Sequence, residues 1–256
     1  MPDWISGRSR LFAEHYDLKH PEPHPGEMEF LLRRVEDGGE PVLELGCGTG
    51  RMLIPLLEAG IDASGVDVSP DMLDRCRARC VEKDLHPGLY LQGMQTLDLP
   101  RKFGTVSIHS ASLGVLNSED DLAATFNGVY ELLKSKGVVA FEFQTPPEPR
   151  SIMDRAGVWS GGWDAADDGS VIVYRQIFEY DPGTHMRPSV IAFERYVDDR
   201  LAETELYEGT MRFWEIETIT LHMQAAGFID MITTNVFADD EPPGDNQWLV
   251  VRARKP

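Results

Sequence analysis

The stretch VLELGCGTGRM, residues 42–52, constrains the fold of this chain more than any other. A short apolar run is followed by Gly46, Gly48 and Gly50 at every second position, and then by the apolar residues of a helix. Glycine loses more backbone freedom on folding than other residues, so this density needs a cause. A tight turn, with a ligand lying against bare backbone, supplies one. Strand, glycine loop and helix in that order open a doubly wound α/β sheet, whose ligands bind beyond the carboxyl ends of the strands.

The chain keeps this alternation to about residue 145. Residues 41–45 read as a strand, 50–58 as a helix closed by Gly60, and 61–68 as a second strand. Ser69 and Pro70 are an N-cap and a first-turn proline. Met72, Leu73, Cys76 and Cys80 then form an apolar stripe. Residues 88–92 and 103–110 are the third and fourth expected strands. Ser118 starts a helix whose acidic first turn suits the helix dipole, with Gly137 as its stop, and 138–143 is the fifth strand. The alternation predicts a parallel sheet with helices on both faces.

The flanks differ. Residues 9–18 and 27–36 read as helices around a proline cluster, giving an N-terminal helical cap over 1–36. Beyond 145, residues 159–170 read as a mobile loop, and 171–180, 189–197 and 206–213 as an antiparallel meander with period-two alternation. Residues 215–226 return to helix, and 228–233 and 248–252 are the last strands. The expected architecture is a single α/β domain over 1–256. It has a Rossmann-like seven-stranded sheet and a β-rich insertion after strand five, residues 150–214.

Charge narrows the partners. Asp and Glu number 43 against 24 Lys and Arg, a net charge of −19. Binding a phosphate backbone needs clustered basic residues, so neither nucleic acid nor an anionic membrane surface is expected. Cys47, Cys76 and Cys80 match no disulfide framework, and free cysteines of this kind are usually buried packing in a reducing cytoplasm. No apolar run is long enough for a bilayer, and the N-terminus lacks a signal-peptide core.

Asp67 ends the second strand 21 positions after Gly46. That is close to the spacing of about 20 at which a carboxylate takes ribose hydroxyls. The dinucleotide fingerprint G-x-G-x-x-G needs a glycine where this chain has Arg51, and no P-loop G-K-[ST] follows. Arg51, together with Glu44, counts against a nucleotide-binding oxidoreductase. Glu44, one step before the loop, suits a cation better than a pyrophosphate. A ribose joined to a sulfonium and an ammonium, as in S-adenosylmethionine, satisfies both conditions.

VLELGCGTGRM together with GVDVSPDML resembles the first two motifs of the class I S-adenosylmethionine-dependent methyltransferases. More narrowly, QGM, LPRKF, SASLGVL and QAAGF are similar to segments of small-molecule enzymes of the aminosugar N-methyltransferase type, which carry a β meander after strand five. The resemblance implies S-adenosylmethionine as cofactor and S-adenosylhomocysteine as product. It implies that Gly46, Cys47, Gly48 and Gly50 form the loop beneath the methionine part, ordered by Glu44. Asp67 would hold the ribose, Val68 with Met72 one adenine face, and Met94 the other. Ser110, within 109–111, would border cofactor and substrate, and Tyr16 would approach the amino-acid end. One position departs: the Asp usual before the adenine-packing Met is Gly93, which leaves Gln95 or a backbone carbonyl for the adenine amino group.

The acceptor is less constrained. Tyr174 and its neighbouring aromatics line a pocket or pack the meander. Arg212 binds an acceptor carboxylate or phosphate or is a surface residue, and Trp214 stands beside it. His109 and Tyr16 are the candidate general bases. No metal is expected. The expected activity is methyl transfer to a small molecule, at an amine nitrogen first and a hydroxyl oxygen second. The alternative is a cofactor-binding protein without methylation: a lyase, cyclase or regulatory subunit. A homodimer is left open.

Overall fold

The computed structural model describes residues 10–239, 241–243 and 247–256, so the first nine residues of the expected cap lie outside the described residues. Two helices lead, α1 (Arg10–Lys19) and α2 (Glu27–Gly38). The alternating region follows as β1 (Val42–Leu45), α3 (Leu53–Glu58), β2 (Ala63–Asp67), α4 (Pro70–Glu82), β3 (Gly88–Leu91), β4 (Phe103–Ile108), α5 (Glu119–Leu132) and β5 (Leu133–Gln144). After the short α6 (Pro149–Met153) come β6 (Ser160–Ala165), β7 (Val171–Phe178), β8 (Met186–Val197) and β9 (Arg200–Arg212). The chain closes with α7 (Ile216–Ala226), β10 (Ile229–Asn235) and β11 (Trp248–Arg254).

Seven strands form one sheet in the order β10-β11-β5-β4-β1-β2-β3, parallel except where β11 runs against both neighbours. This is the Rossmann-like sheet that the alternation predicts. From β1 the chain winds outward to β2 and β3 on one side and to β4 and β5 on the other. The switch point therefore lies between β1 and β4, where α/β sheets bind ligands.

Period-two alternation divides each strand between two layers. Leu43 and Leu45 of β1 join Phe126 and Val129 of α5 and Ile219 and Met223 of α7 on one face. On the other face, Val42 packs with Leu31 of α2, Leu53 of α3 and Leu73, Cys76 and Cys80 of α4. All three cysteines are buried and unbridged. Ser69 caps α4, its hydroxyl accepting from the Met72 N–H at 3.3 Å.

The insertion is a four-stranded antiparallel sheet, β6-β7-β8-β9. Residues 160–165, expected as a mobile loop, are its edge strand, registered from Ser160↔Gln176 to Ala165↔Val171. The glycines that suggested a loop serve the pairing: a Cβ on Gly161 would sit 2.1 Å from the Tyr174 carbonyl oxygen. A second correction concerns α5, which stops at Leu132 rather than running to Gly137. Leu133 already pairs with Phe103, and the register shifts before Thr105↔Val138.

Helix α1 straps the two sheets together. Asp17 accepts from Arg75 and Arg79 of α4, while Glu14 pairs with Arg195 of β8 and Lys19 with Asp164 of β6. Among the described residues, no helix is long and apolar enough to cross a membrane.

Candidate active site

The glycine loop is tied to the end of β2. Gly46 and Cys47 donate their N–H groups to the Val66 carbonyl at 2.8 and 3.0 Å, and Gly50 donates to Cys47 at 2.9 Å. Gly48 donates to Asp67 Oδ2 at 2.8 Å, and Ser69 donates to Oδ1 at 2.8 Å. These loop amides are spent inside the protein, so they do not form the open nest that cradles a phosphate. Two glycines serve different ends. Gly50, at φ +89°, would place a Cβ 2.8 Å from Cys76 Sγ, so it permits the helices to pack. Gly48, at φ +54°, would meet nothing nearer than Met72 Sδ at 3.9 Å. Its glycine leaves open space above the loop.

That space is a cavity of about 340 Å³. One wall is the loop with Gly46, Gly48, Asp67, Val68 and Met72; Met94 and Gln95 stand across from it on a short 3-10 turn, Met94–Thr96. Burial raises the Asp67 carboxyl above the usual range, against the hydrogen bonds from Ser69 and Gly48. A Cβ on Gly93 would lie 2.6 Å from Gln95 Oε1. The amide of Gln95 thus fills the space that a side chain at 93 would take. The opposite wall is the inner face of the second sheet, with Gln176, Arg187, Ser189, Ile191, Tyr207 and Met211.

Tyr16 enters this cavity from α1 and Ser110 from the end of β4. Ser110 and Ala111 both take left-handed backbone, φ +56° and +53°, conformations that non-glycine residues adopt at a cost, often at functional sites. The Ser110 hydroxyl lies 3.3 Å from the Tyr16 hydroxyl and accepts from Arg51 Nη2 at 2.8 Å. Arg51 Nε donates to the Tyr16 hydroxyl at 3.4 Å.

Beneath lies a buried polar layer. The Arg51 guanidinium forks onto both carboxylate oxygens of Glu27, in the first turn of α2. His109 Nδ1 lies 3.3 Å from Glu27 Oε1, and Glu142 Oε1 accepts the Ser110 N–H. Burial works against the Glu27 charge, but Arg51 and His109 outweigh it and hold the carboxyl far below the usual range. Burial likewise disfavours charged His109, yet Glu27, Glu44 and Glu142 raise its pKa on balance. Glu44 is fully enclosed; desolvation pushes it up to about 8, and its Oε2 has no hydrogen-bond partner. Glu27, His109 and Glu142 bring candidate metal-ligand atoms within 4.8 Å of one another, with Arg51 already neutralising Glu27.

Of the residues singled out from sequence, Tyr16, Gly46, Gly48, Asp67, Val68, Met72, Met94, Gln95 and Ser110 converge on the cavity. Cys47 and Gly50 do not line it; they pack behind the loop. Glu44 lies under the loop and outside the cavity lining, where burial pushes its carboxyl up while His109 and Arg51 pull it down. His109 belongs to the layer beneath. Tyr174 packs its ring against that of His15, tilted, with centroids 4.6 Å apart, outside the lining. Trp214 is 1% exposed and donates its indole N–H to the Leu113 carbonyl at 3.3 Å. Arg212 lies 4.0 Å over the Trp214 ring and donates to the Asn117 carbonyl at 3.2 Å, facing away from the cavity. Glu27, Arg51 and Arg187 were not anticipated as site residues. The period of two carried a signal for the buried layer: Glu44 and Ser107 stand opposite each other on adjacent strands, on the α2 side.

Comparisons with known proteins bear on the fold. Residues 42–137 match a family model described as a methyltransferase domain. A putative methyltransferase of Geobacillus sp. (strain WCH70) is 31% identical over 136 residues, 51% of this chain and 55% of that protein, so the chain spans about half its length. The dTDP-3-amino-3,4,6-trideoxy-alpha-D-glucopyranose N,N-dimethyltransferase of Streptomyces venezuelae is 31% identical over 161 residues, 60% of this chain and 62% of that one. The crystal structure of an S-adenosylmethionine-dependent methyltransferase from Clostridium acetobutylicum superposes with a TM-score of 0.80 at 18% identity, covering 95% of this chain and 97% of that chain. That likeness extends the shared fold through the second sheet.

Proposed function

We propose that this chain is a class I S-adenosylmethionine-dependent methyltransferase that acts on a small molecule, at an amine nitrogen first and a hydroxyl oxygen second; the methyltransferase-domain match over residues 42–137 supports this reading. The observation that carries this reading is one cavity with two unlike walls. The glycine loop, Asp67, Met72 and Met94 form one, and the meander forms the other. A donor seated on the first wall faces an acceptor seated on the second, and the 150–214 insertion acts as the lid between acceptor and solvent.

The residues present fit the cofactor. The cleared space above Gly48, the carboxylate of Asp67 and the gap between Met72 and Met94 suit an amino-acid end, a ribose and a flat base. When bound, S-adenosylmethionine supplies a methyl carbon activated by a positively charged sulfur that leaves as a neutral thioether.

The protein's part is alignment, because a good leaving group makes orientation the main requirement. Asp67 accepts from ribose hydroxyls, and Gln95 offers its amide to the base. Tyr16, fixed by Arg51 and Ser110, presents its hydroxyl oxygen to an acceptor N–H or O–H. An amine reacts through its lone pair and sheds one proton, so orientation suffices where it arrives neutral. His109, in the layer below, holds Glu27 and through it Arg51; it positions Tyr16 rather than taking the acceptor's proton. The buried, unbridged cysteines suit a cytoplasmic setting.

The test is release of S-adenosylhomocysteine with a panel of amines and alcohols. Stoichiometric S-adenosylmethionine binding without transfer to any member would favour the non-methylating alternative. Measurable NADH binding in its place would remove the cofactor assignment.

A further inference from the structure

Among the described residues, Asp67 and Arg187 are the only charged residues lining the cavity. Asp67 stands on the glycine-loop wall with both oxygens tied to backbone N–H groups. Arg187 stands on the meander wall, on β8, opposite Met211 of β9. The two cations of this region are held differently. Arg212 is engaged by the Asn117 carbonyl, by Glu119 at 3.8 Å and by the Trp214 ring. Arg187 has no carboxylate partner among the described residues, and its Nε is buried with no hydrogen bond. Its guanidinium lies 5.5 Å from the Phe178 ring centre and 5.8 Å from that of Phe213.

Ring faces attract a cation but do not replace the hydrogen bonds it loses on leaving water. A guanidinium stays protonated even when burial and nearby Arg155 lower its pKa, as they do here. Arg187 is half-buried, and a partly desolvated positive charge without a carboxylate partner weakens the free protein unless a ligand completes it. The two rings fix the orientation of the planar fork beforehand, and its five donors match the oxygens of a carboxylate or phosphate. Ser189 and Gln176 line the same wall, on the inward face of β8 and β7, and add neutral donors beside it.

We propose that Arg187 receives an anionic group, carboxylate or phosphate, carried by the methyl acceptor, and so selects acidic acceptors over neutral ones. The acceptor then spans the cavity, with its anion on the meander wall and its nucleophile turned toward the glycine loop. Arg212, which sequence pointed to for this task, holds the loop at Asn117 instead. The net charge of −19 repels anions in general, so the selectivity arises at one partly desolvated cation rather than from the protein's overall field. The proposal rests on the methyl-transfer reading of the cavity.

Three amines test it: ethanolamine, β-alanine and O-phosphoethanolamine, whose nitrogen stands two carbons from a neutral hydroxyl, a carboxylate and a phosphate ester. Each is titrated calorimetrically, at constant ionic strength, into protein loaded with S-adenosylhomocysteine. The wild type is expected to bind one of the anionic amines about tenfold or more tighter than ethanolamine. Arg187→Met removes the preference, and Arg187→Lys keeps part of it. Preference for β-alanine identifies a carboxylate acceptor; preference for O-phosphoethanolamine identifies a phosphate one. Binding of S-adenosylhomocysteine stays the same in all three proteins, and its loss from the wild type would refute the methyl-transfer reading instead. The thermal midpoint of free Arg187→Met stays level or rises. Equal binding of neutral and anionic amines, no binding of either anionic amine, or a preference that survives in Arg187→Met would overturn the proposal. A lower midpoint with the preference intact would make Arg187 a packing residue.

Discussion

The backbone N–H of Gly48 donates to Asp67 Oδ2 at 2.8 Å, joining the glycine loop to the end of β2. The carboxylate therefore does two things. It shapes the glycine loop, and in the proposed function it keeps lone pairs for a ribose. Asp67→Ala is expected to weaken S-adenosylhomocysteine binding by about 1.5–3 kcal/mol, the worth of hydrogen bonds to a charged group. Calorimetry reads this directly, and undiminished affinity would remove the ribose assignment.

Gln95 occupies the volume a side chain at Gly93 would need, so the two positions should couple. Gln95→Ala is expected to weaken cofactor binding several-fold, and Gly93→Asp alone to do little better, because the new carboxylate must displace the Gln95 amide. The double variant Gly93→Asp/Gln95→Ala should recover affinity. Additive effects in this cycle would show that Gln95 does not stand in for the missing Asp.

Arg51 and Glu27 are both buried, at 3% and 0% side-chain exposure. Removing one partner leaves an uncompensated charge, so Arg51→Met is expected to cost about 3–5 kcal/mol of folding stability. Chemical denaturation measures it. Glu27→Gln combined with Arg51→Met should restore part of the loss, since neither charge then remains.

Glu44 gives a pH dependence of defined sign. Its folded pKa of about 8 lies above the ordinary value of about 4.3, so the folded protein retains a proton that the unfolded chain releases. This contribution is complete below the unfolded pKa and is lost as pH rises toward the folded one. Wild-type stability should fall relative to Glu44→Gln from about pH 5 to about pH 8, by up to about 1.4 kcal/mol per pH unit. Urea unfolding of both proteins across that range checks it; parallel profiles would mean that Glu44 is ionised in the folded state.

His109 is 5% exposed and belongs to the layer beneath the cavity. General bases contribute about 100-fold or more to rate. His109→Gln is therefore expected to lower kcat by less than about tenfold while reducing stability through Glu27. A loss of several hundredfold at unchanged stability would restore His109 as the base.

The glycine motif, Asp67 and the strand–helix alternation made the fold and the donor wall readable from residue order. Such features are local: a glycine turn, an N-cap at Ser69 and a carboxylate at a strand end each act within a few positions of themselves. The same reasoning read 160–165 as a loop, because glycine density resembles a loop until the partner strand is known. It pointed to Arg212 and Trp214 from their position beside a helix, while the structure turns both onto the loop at Leu113 and Asn117.

The acceptor wall was decided by tertiary structure alone. Arg187 lies 120 positions or more from the glycine loop and Asp67, and nothing near it in sequence marks it as unpaired. Whether a cation is paired depends on which carboxylates folding brings close, and that is a sum over distant contacts rather than a local pattern. The same holds for Glu27, Arg51, His109 and Glu142, four residues from four segments that share charge only because the first turn of α2 packs near the carboxyl ends of β4 and β5. Residue order determined the glycine loop and the carboxylate beside it, since backbone shape is local; the fold decided what faces them, since burial and charge compensation are not.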